Sequence, residues 1–366
     1  MKRILFFALI LAVALEGLAQ NCAQTLRLAR STYDQGRLHE LAPLIGPCLK
    51  LGNSGFSKQE RVEAYKLLTL SYIYLEEPEK ADSAMISLLE TDHFFEPNQA
   101  LDPEEFIGLY RTFRTKPIFS WGIKGGLNMS LPNVTSNYYI ANNAKGNGQT
   151  TGKIGIQIGL VFEKQLFQRW KRQQWQRFRL APELLLVQRA IDYSNTLFLN
   201  YQSGSDPQTI TNLVYSESQS MIDLNVMLRY RLRPKSKFDP WVSLGPSVTY
   251  FLSSAVPAST TRGTTGNVVS GADVDITSSY KTLTYSATLG VGARYKVGSL
   301  YVTLETRYQY GLVNVVNESK RYNSQLALDY GGVLNDYTVS SVQLLVGVSV
   351  PVFKPQKLKK KKKSLK

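Results

Sequence analysis

The sequence has no long hydrophobic run after its first twenty residues, and it is poor in cysteine and histidine. A transmembrane helix needs about 20 consecutive, mostly apolar residues, so none is predicted in the rest of the chain. Both histidines, His39 and His93, lie in the first third of the sequence. The remainder therefore lacks the side chain most often used in acid–base catalysis. Metal-ligand clusters, phosphate-binding loops and dinucleotide fingerprints are also missing. The sequence predicts a protein that is not an enzyme and binds no cofactor or metal.

The one long apolar stretch lies at the amino terminus and has the composition of a secretory signal peptide. Lys2-Arg3 precede the apolar run Ile4–Leu15, and small residues near Ala19 suit cleavage by a signal peptidase. We therefore predict that residues 1–19 are removed and that the mature protein leaves the cytoplasm. Export argues against nucleic acid as a partner, although the formal net charge of +15 would suit it.

Residues 20–116 have the periodicity of α-helices and are predicted to form a small all-α domain. The expected helices are Ala23–Tyr33, Arg37–Lys50, Ser57–Leu75, Pro78–Thr91 and Asp102–Phe113. Cys22 and Cys48 both belong to this domain. In an oxidising compartment they either form a disulfide or remain free thiols, and the sequence leaves both alternatives open.

Residues 65–93 are similar to a tetratricopeptide repeat, a helix–turn–helix unit that stacks on copies of itself. Four side chains near the packing positions of that motif form a candidate groove for a protein partner: Tyr65, Leu68, Tyr72 and Ala81. A helical cap that only packs against its neighbours explains the same pattern equally well.

The periodicity changes after Pro117 to a period of two, which is typical of β-strands with one apolar and one polar face. Met221–Leu232 alternates most strictly, with Asp223, Arg229 and Arg231 on its polar side. Eight strands are predicted in all: Ile118–Ser130, Lys153–Phe162, Arg179–Ile191, Met221–Leu232, Trp241–Leu252, Lys281–Tyr295, Leu300–Val313 and Thr338–Phe353.

The connections between these strands favour a membrane barrel over a soluble sandwich. Long stretches rich in Ser, Thr, Asn and Gly follow alternate strands, whereas short links follow others. This sorting of long loops and short turns is typical of outer-membrane barrels. The predicted fold is thus α+β with two domains, a small all-α domain and an antiparallel 8-stranded transmembrane β-barrel at residues 117–353.

The polar faces of the strands carry charges of both signs that would meet in a narrow lumen. Nine residues are predicted to form ion pairs there: Lys124, Glu163, Glu183, Asp223, Arg229, Arg231, Arg294, Glu305 and Arg307. Because side chains just fill the interior of an eight-stranded barrel, an open diffusion pore is not expected.

The segment after the last strand, Lys354–Lys366, contains eight lysines. Five of them are consecutive: Lys359, Lys360, Lys361, Lys362 and Lys363. An even number of strands predicts that both chain ends lie in the periplasm, together with the basic links at residues 164–179 and 233–237. One interpretation is contact with anionic lipid, the cell wall or an acidic partner. The other is a solvated tail without a specific target.

The strand region Ile118–Phe353 resembles the PorT-type outer-membrane β-barrel family common in Bacteroidetes. Its opening strand S-W-G-I-K-G-G-L-N (Ser120–Asn128) is similar to the first strand of that family. The helical extension of some members resembles A-Y-K-L-L-T-L-S-Y-I-Y-L (Ala64–Leu75), D-P-E-E-F (Asp102–Phe106) and Lys116-Pro117. The resemblance implies insertion in outer-membrane lipid of a Gram-negative cell, and some members support protein secretion to the cell surface.

Three functional hypotheses follow. The first is a non-enzymatic barrel that anchors a periplasmic protein-interaction module and engages an envelope protein partner. The second is a ligand-binding or transport barrel that acts through its long outer loops. The third and weakest is a secreted soluble β-protein.

Overall fold

The structure is a computed structural model that describes residues 22–51, 54–138, 148–166, 174–199, 209–234, 236–262, 267–322 and 333–358. It divides into two compact units, a helical unit (Met1–Ile118 together with Phe353–Lys366) and a strand unit (Phe119–Val352). The predicted signal peptide and the five consecutive lysines of the tail lie outside the described residues. None of the helices in the described residues is long and apolar enough to cross a bilayer.

All five predicted helices are present in the helical unit. They are α1 (residues 22–34), α2 (Leu41–Lys50), α3 (Lys58–Tyr74), α4 (Pro78–Thr91) and α5 (Glu104–Arg111). A capping box starts α3, because the Ser57 hydroxyl accepts the Glu60 N–H while the Glu60 carboxylate accepts the Ser57 N–H at 2.9 Å. Pro78 occupies the start of α4, where a missing N–H leaves no helical bond unmade.

Two apolar clusters hold the helical unit together. One joins α1, α2 and α3 around Leu26, Ile45 and Leu68, and the other joins α3, α4 and α5 around Leu88 and Phe106. A disulfide links Cys22 of α1 to Cys48 of α2, and this selects one of the two states that the sequence left open. Closing a loop of this length stabilises a fold by about 3 kcal/mol, chiefly by restricting the unfolded chain.

The chain after the last strand returns to the helical unit. Residues 353–358 run antiparallel to the segment after α5, where the Arg114 N–H donates to the Gln356 carbonyl at 3.0 Å and the Leu358 N–H donates to the Thr112 carbonyl at 2.8 Å. The first residues of the lysine-rich segment are therefore part of a folded unit.

Phe353 departs from its prediction. The sequence extended the last strand through this residue, but the strand ends at Val352 and the Phe353 ring stacks on His93 with centroids 4.9 Å apart. Phe94 meets the same ring edge-on at 5.2 Å. The Phe353 side chain is thus part of the helical unit and does not continue the alternation of β10.

The strand unit contains ten described strands. They are β1 (Phe119–Ser136), β2 (Gln149–Gly152), β3 (Ile154–Gln165), β4 (Phe178–Leu199), β5 (Thr209–Arg231), β6 (Phe238–Arg262), β7 (Asn267–Asp275), β8 (Leu283–Val297), β9 (Leu300–Gly311) and β10 (Asp336–Val352). Eight of them close an antiparallel ring in the order β1–β3–β4–β5–β6–β8–β9–β10, with β10 paired back to β1. These eight are the predicted strands.

The sequence underestimated how far some strands extend. Two stretches predicted as long loops, Ser194–Ser220 and Ser253–Ser279, consist mostly of the ends of β4, β5 and β6 and the whole of β7. Polar segments rich in Thr and Tyr form strands readily, and strands that continue beyond the hydrocarbon need no apolar face. Without that face, alternation of apolar and polar residues could not reveal them.

The ring exposes aliphatic side chains and buries charged ones. Ile158 and Leu289 are each 57% exposed on the outside, whereas Lys124 and Arg307 are 3% and 2% exposed inside. This arrangement is the reverse of a soluble sandwich and matches a barrel whose outer wall contacts lipid.

Candidate functional site

The interior of the ring contains one continuous network of ion pairs, with Glu183 at its centre. The Glu183 carboxylate accepts Lys124 Nζ at 2.8 Å, Arg229 Nη2 at 2.6 Å and Arg307 Nη1 at 2.7 Å. These residues come from four different strands, β4, β1, β5 and β9. They meet because each side chain is buried inside the ring and the long side chains of Lys124, Arg229 and Arg307 reach the Glu183 carboxylate.

Glu305 shares the same three cations. Lys124 Nζ lies 3.0 Å from its carboxylate, Arg307 Nε 2.8 Å and Arg229 Nη2 3.3 Å. Two carboxylates and three cations thus form a compact group in which every carboxylate oxygen faces positive charge.

A third carboxylate, Glu163, extends the network toward the end of the ring where β1 begins. Arg179 Nη1 lies 2.7 Å and Arg294 Nη1 3.3 Å from one of its oxygens, and Arg229 Nη1 lies 2.9 Å from the other. Arg229 therefore connects Glu163 to the central group.

Asp239 completes the network at that end. It accepts Arg294 Nε at 2.9 Å and pairs with Arg231. The network brings together eight of the nine residues predicted for the lumen: Lys124, Glu163, Glu183, Arg229, Arg231, Arg294, Glu305 and Arg307. Sequence reasoning missed Arg179 and Asp239, which lie at the very start of β4 and β6 next to basic links. Counting by twos from the inward residues of each strand would have found both.

Asp223 is the exception among the nine. It is buried, but Asn225 is the β5 residue opposite Glu183. Asp223 precedes Asn225 by two residues and is opposite Leu185. Its carboxylate accepts a long hydrogen bond from Gln309 Nε2 at 3.4 Å and borders a cavity of about 30 Å³. The prediction that Asp223 joins the ion pairs is therefore wrong, because Asp223 lies on the side of Glu183 that faces away from Arg229 and Arg179.

The network occupies space that an open channel would need. Another cavity in the ring, beside Glu163 and Trp241, is about 20 Å³. Cavities of this size hold about one or two water molecules. Buried ion pairs are costly to desolvate, and removing one partner of such a pair typically costs 3–5 kcal/mol. Their role here is to fill and fix the interior of the ring.

The end of the ring opposite to the start of β1 is closed by an apolar cluster that surrounds a buried carboxylate. Glu217 accepts hydrogen bonds from Gln219 at 2.6 Å, Ser254 at 2.5 Å and Tyr280 at 2.7 Å. The connections between strands contribute Tyr280, Val315, Val316 and Leu334 to the cluster around it. Sequence reasoning missed this group, because its members come from segments that were predicted as solvent-exposed loops.

The helical unit contains a larger opening. A cleft of about 330 Å³ lies between the end of α3, the start of α4 and the middle of α5. Its floor is apolar, formed by Ile73, Pro78, Ala81 and Leu109, and Lys357 lies at its edge.

Acidic side chains form the rim of the cleft: Glu76, Glu77, Asp82 and Glu105. Lys357 pairs with Asp82 across this rim. Glu77 likewise pairs with Lys80 at 2.9 Å, so the cleft combines apolar contact area with four carboxylates, two of which are already in ion pairs.

Two of the four residues predicted for a partner groove line this cleft. These two are Tyr72 and Ala81, whereas Leu68 is buried in the core between α1, α2 and α3. Tyr65 packs against both apolar clusters of the unit. The repeat-like pattern marked helix packing positions, and only the two nearest the turn between α3 and α4 reach the surface of the cleft.

Three solved structures illustrate what this chain is similar to. OprG from Pseudomonas aeruginosa is 12% identical, with 65% of this chain and 98% of that chain covered and a TM-score of 0.34. Neisserial surface protein A is 12% identical, with 63% and 96% covered and a TM-score of 0.28. The outer membrane protease OmpT from Escherichia coli is 10% identical, with 64% and 96% covered and a TM-score of 0.23. No curated protein matches the chain.

The match to a family model covers the ring. Residues 115–317, more than half of the 366 residues, match the model of the outer membrane protein beta-barrel domain. The matched region begins just before β1 and includes seven of the eight ring strands. This chain therefore belongs to the outer membrane protein beta-barrel domain family.

Proposed function

We propose that this protein is a non-enzymatic outer-membrane barrel that anchors a partner-binding helical unit in the periplasm, as an accessory component of envelope assembly or protein secretion. One observation carries the proposal. The cleft in the helical unit has a volume of about 330 Å³, whereas the cavity beside Asp223 in the ring has about 30 Å³. A segment of another protein fits the first opening and not the second.

The course of the chain supports a periplasmic helical unit. Phe119 at the start of β1 pairs with Val352 at the end of β10, so both connections to the helical unit leave the ring at one end. The links β5–β6 and β8–β9 lie at that same end and are short. In outer-membrane barrels short turns face the periplasm.

The chemistry of the cleft supports a protein partner. Its apolar floor offers contact area, and its carboxylates offer directional contacts to lysine, arginine or backbone N–H groups. The tetratricopeptide-like pattern of residues 65–93 is consistent with such a role, and the PorT-type resemblance is consistent with a role in secretion.

The proposal can be tested by filling the cleft. Gly108 of α5 lines it, and a Cβ built at this position meets no heavy atom within 4 Å. Gly108→Phe therefore adds a large side chain at the lining of the cleft with room for its Cβ, and phenylalanine also favours helix over glycine. Gly46→Phe is the matched control, because Gly46 of α2 is equally open but lies outside the cleft.

The measurement is crosslinking in intact cells, followed by detergent extraction of the outer membrane and identification of co-purified proteins. A specific partner is expected with the wild type and Gly46→Phe. Gly108→Phe should recover at least about tenfold less of it, since 1.4 kcal/mol of lost contact is a factor of ten. Equal recovery with both variants would contradict a partner site in the cleft.

The alternative is a ligand-binding barrel that acts through its outer connections, and one observation favours it. β4, β5 and β6 continue well past their shorter neighbours and, with β7, form a sheet beyond the ring. Such a sheet offers a surface for a glycan or another extracellular ligand. Conductance in planar bilayers would favour this function. Tight binding of a surface glycan by the Gly108→Phe variant, whose helical unit is otherwise intact, would also favour it.

A further inference from the structure

Five neighbouring strands of the ring carry the same pair of side chains at the end from which the helical unit departs. Each of β3, β4, β5, β6 and β8 has one aromatic residue and one cation there. The pairs are Phe162 with Lys164, Phe178 with Arg177, Tyr230 with Arg233, Phe238 with Lys237, and Tyr295 with Lys296. We call these ten residues the basic arc.

Strand pairing places the aromatic residues of the basic arc opposite each other in two places. Phe178 is opposite Tyr230 with ring centroids 5.0 Å apart, and Phe238 is opposite Tyr295. The Lys296 N–H donates to the Lys237 carbonyl at 3.1 Å. The arc has members on five of the eight ring strands, and adjacent strands lie about 4.8 Å apart.

Four of the five cations of the basic arc are outside the ion pairs of the described residues. Within the described residues, Lys164, Arg177, Arg233 and Lys237 form no ion pair. Residues 164–179 contain six Lys and Arg and no Asp or Glu, and the buried carboxylates next to the arc, Glu163 and Asp239, are paired with Arg179 and Arg294 inside the ring. At the opposite end, by contrast, Lys153 pairs with Asp192 at 2.8 Å.

The position of the arc limits what can neutralise it. Its aromatic side chains adjoin the exposed aliphatic residues on the outside of the strands, and Phe238 and Tyr295 are 51% and 52% exposed. Aromatic rings at such a boundary sit at the level of lipid headgroups, and the cations lie beside them. A soluble acidic protein would have to displace lipid to reach this wall, whereas a phospholipid presents its phosphate there. We propose that the basic arc binds the headgroups of anionic phospholipids.

The experiment is native mass spectrometry of the full-length protein in detergent, titrated with phosphatidylglycerol or phosphatidylcholine. Each basic residue near a membrane surface attracts anionic lipid independently, so the wild type should prefer phosphatidylglycerol by about tenfold or more. The triple variant Arg177→Gln, Arg233→Gln and Lys237→Gln should lose this preference. The matched control, Lys153→Gln, Lys281→Gln and Lys320→Gln, removes three cations from the opposite end and should keep it.

Charge rather than side-chain shape is tested by Arg177→Lys with Arg233→Lys, which should bind phosphatidylglycerol like the wild type. Heat-modifiable migration in gels establishes that each variant is folded. Three results would overturn the proposal. The first is equal binding of both lipids by the wild type. The second is a preference for phosphatidylglycerol in the triple glutamine variant that equals that of the wild type. The third is binding of soluble polyglutamate as tight as that of phosphatidylglycerol. The last would assign the arc to an acidic protein.

Discussion

The two units of this protein bury opposite kinds of side chain. The ring encloses Glu183, Glu305 and their cations and turns aliphatic residues outward, whereas the helical unit encloses residues such as Leu88 and has ion pairs such as Arg30–Glu63 at its surface. In water, burial of apolar groups drives folding. In lipid that driving force no longer separates inside from outside, and polar groups must find partners within the protein. The same ion-pair chemistry should therefore have a large effect in one unit and a small one in the other.

The largest effect is expected from Glu183→Gln. This change leaves Lys124, Arg229 and Arg307 buried with one carboxylate fewer, and loss of one partner in a buried ion-pair group costs about 3–5 kcal/mol. We expect a loss of folded ring, measured by heat-modifiable migration and by unfolding in denaturant. Glu217→Gln is the control, since the three donors to Glu217 are neutral side chains. A larger effect at Glu217 than at Glu183 would contradict this account of the interior.

A somewhat smaller effect is expected from Leu88→Ala in the helical unit. Leu88 is fully buried among α3, α4 and α5, and removing such a side chain costs about 3 kcal/mol through lost burial and the cavity left behind. Limited proteolysis should cut the helical unit of this variant sooner, while the ring keeps its heat-modifiable migration. Simultaneous loss of both units would show that they do not fold independently.

The smallest effect is expected from Glu63→Gln, which removes the carboxylate of a surface pair with Arg30. Exposed pairs contribute about 0–1 kcal/mol because water screens them. The resistance of the helical unit to proteolysis should stay within error of the wild type. A loss comparable to that of Leu88→Ala would mean that surface charge holds this unit together, and the contrast with the ring would no longer stand.

The alternation of side chains made most of the ring predictable. Inward positions of Met221–Leu232 and its neighbours follow from a period of two, and this placed Lys124, Glu183 and Arg307 on one face before their contacts were known. What the period cannot supply is depth. Asp223 has the correct face, but its place along β5 relative to Glu183 is set by pairing with β4.

Other features depend on contacts between distant parts of the chain. Phe353 follows a strand without a break, but its side chain packs against His93 and Phe94, some 260 residues earlier in the sequence. The cleft likewise depends on Lys357 lying beside α4. Local periodicity identified the helices and strands, but it carries no information on such long-range contacts.

The return of residues 353–358 to the helical unit has a consequence for the order of synthesis. The helices are made first. Residues 353–358, which lie against Thr112 and Arg114, are made only after all eight strands of the ring. Until then His93 and Asp82 lack the partners that they have in the finished protein. The cleft thus acquires Lys357 last, so its lining becomes complete only on a chain that has been translated through all the strands of the ring.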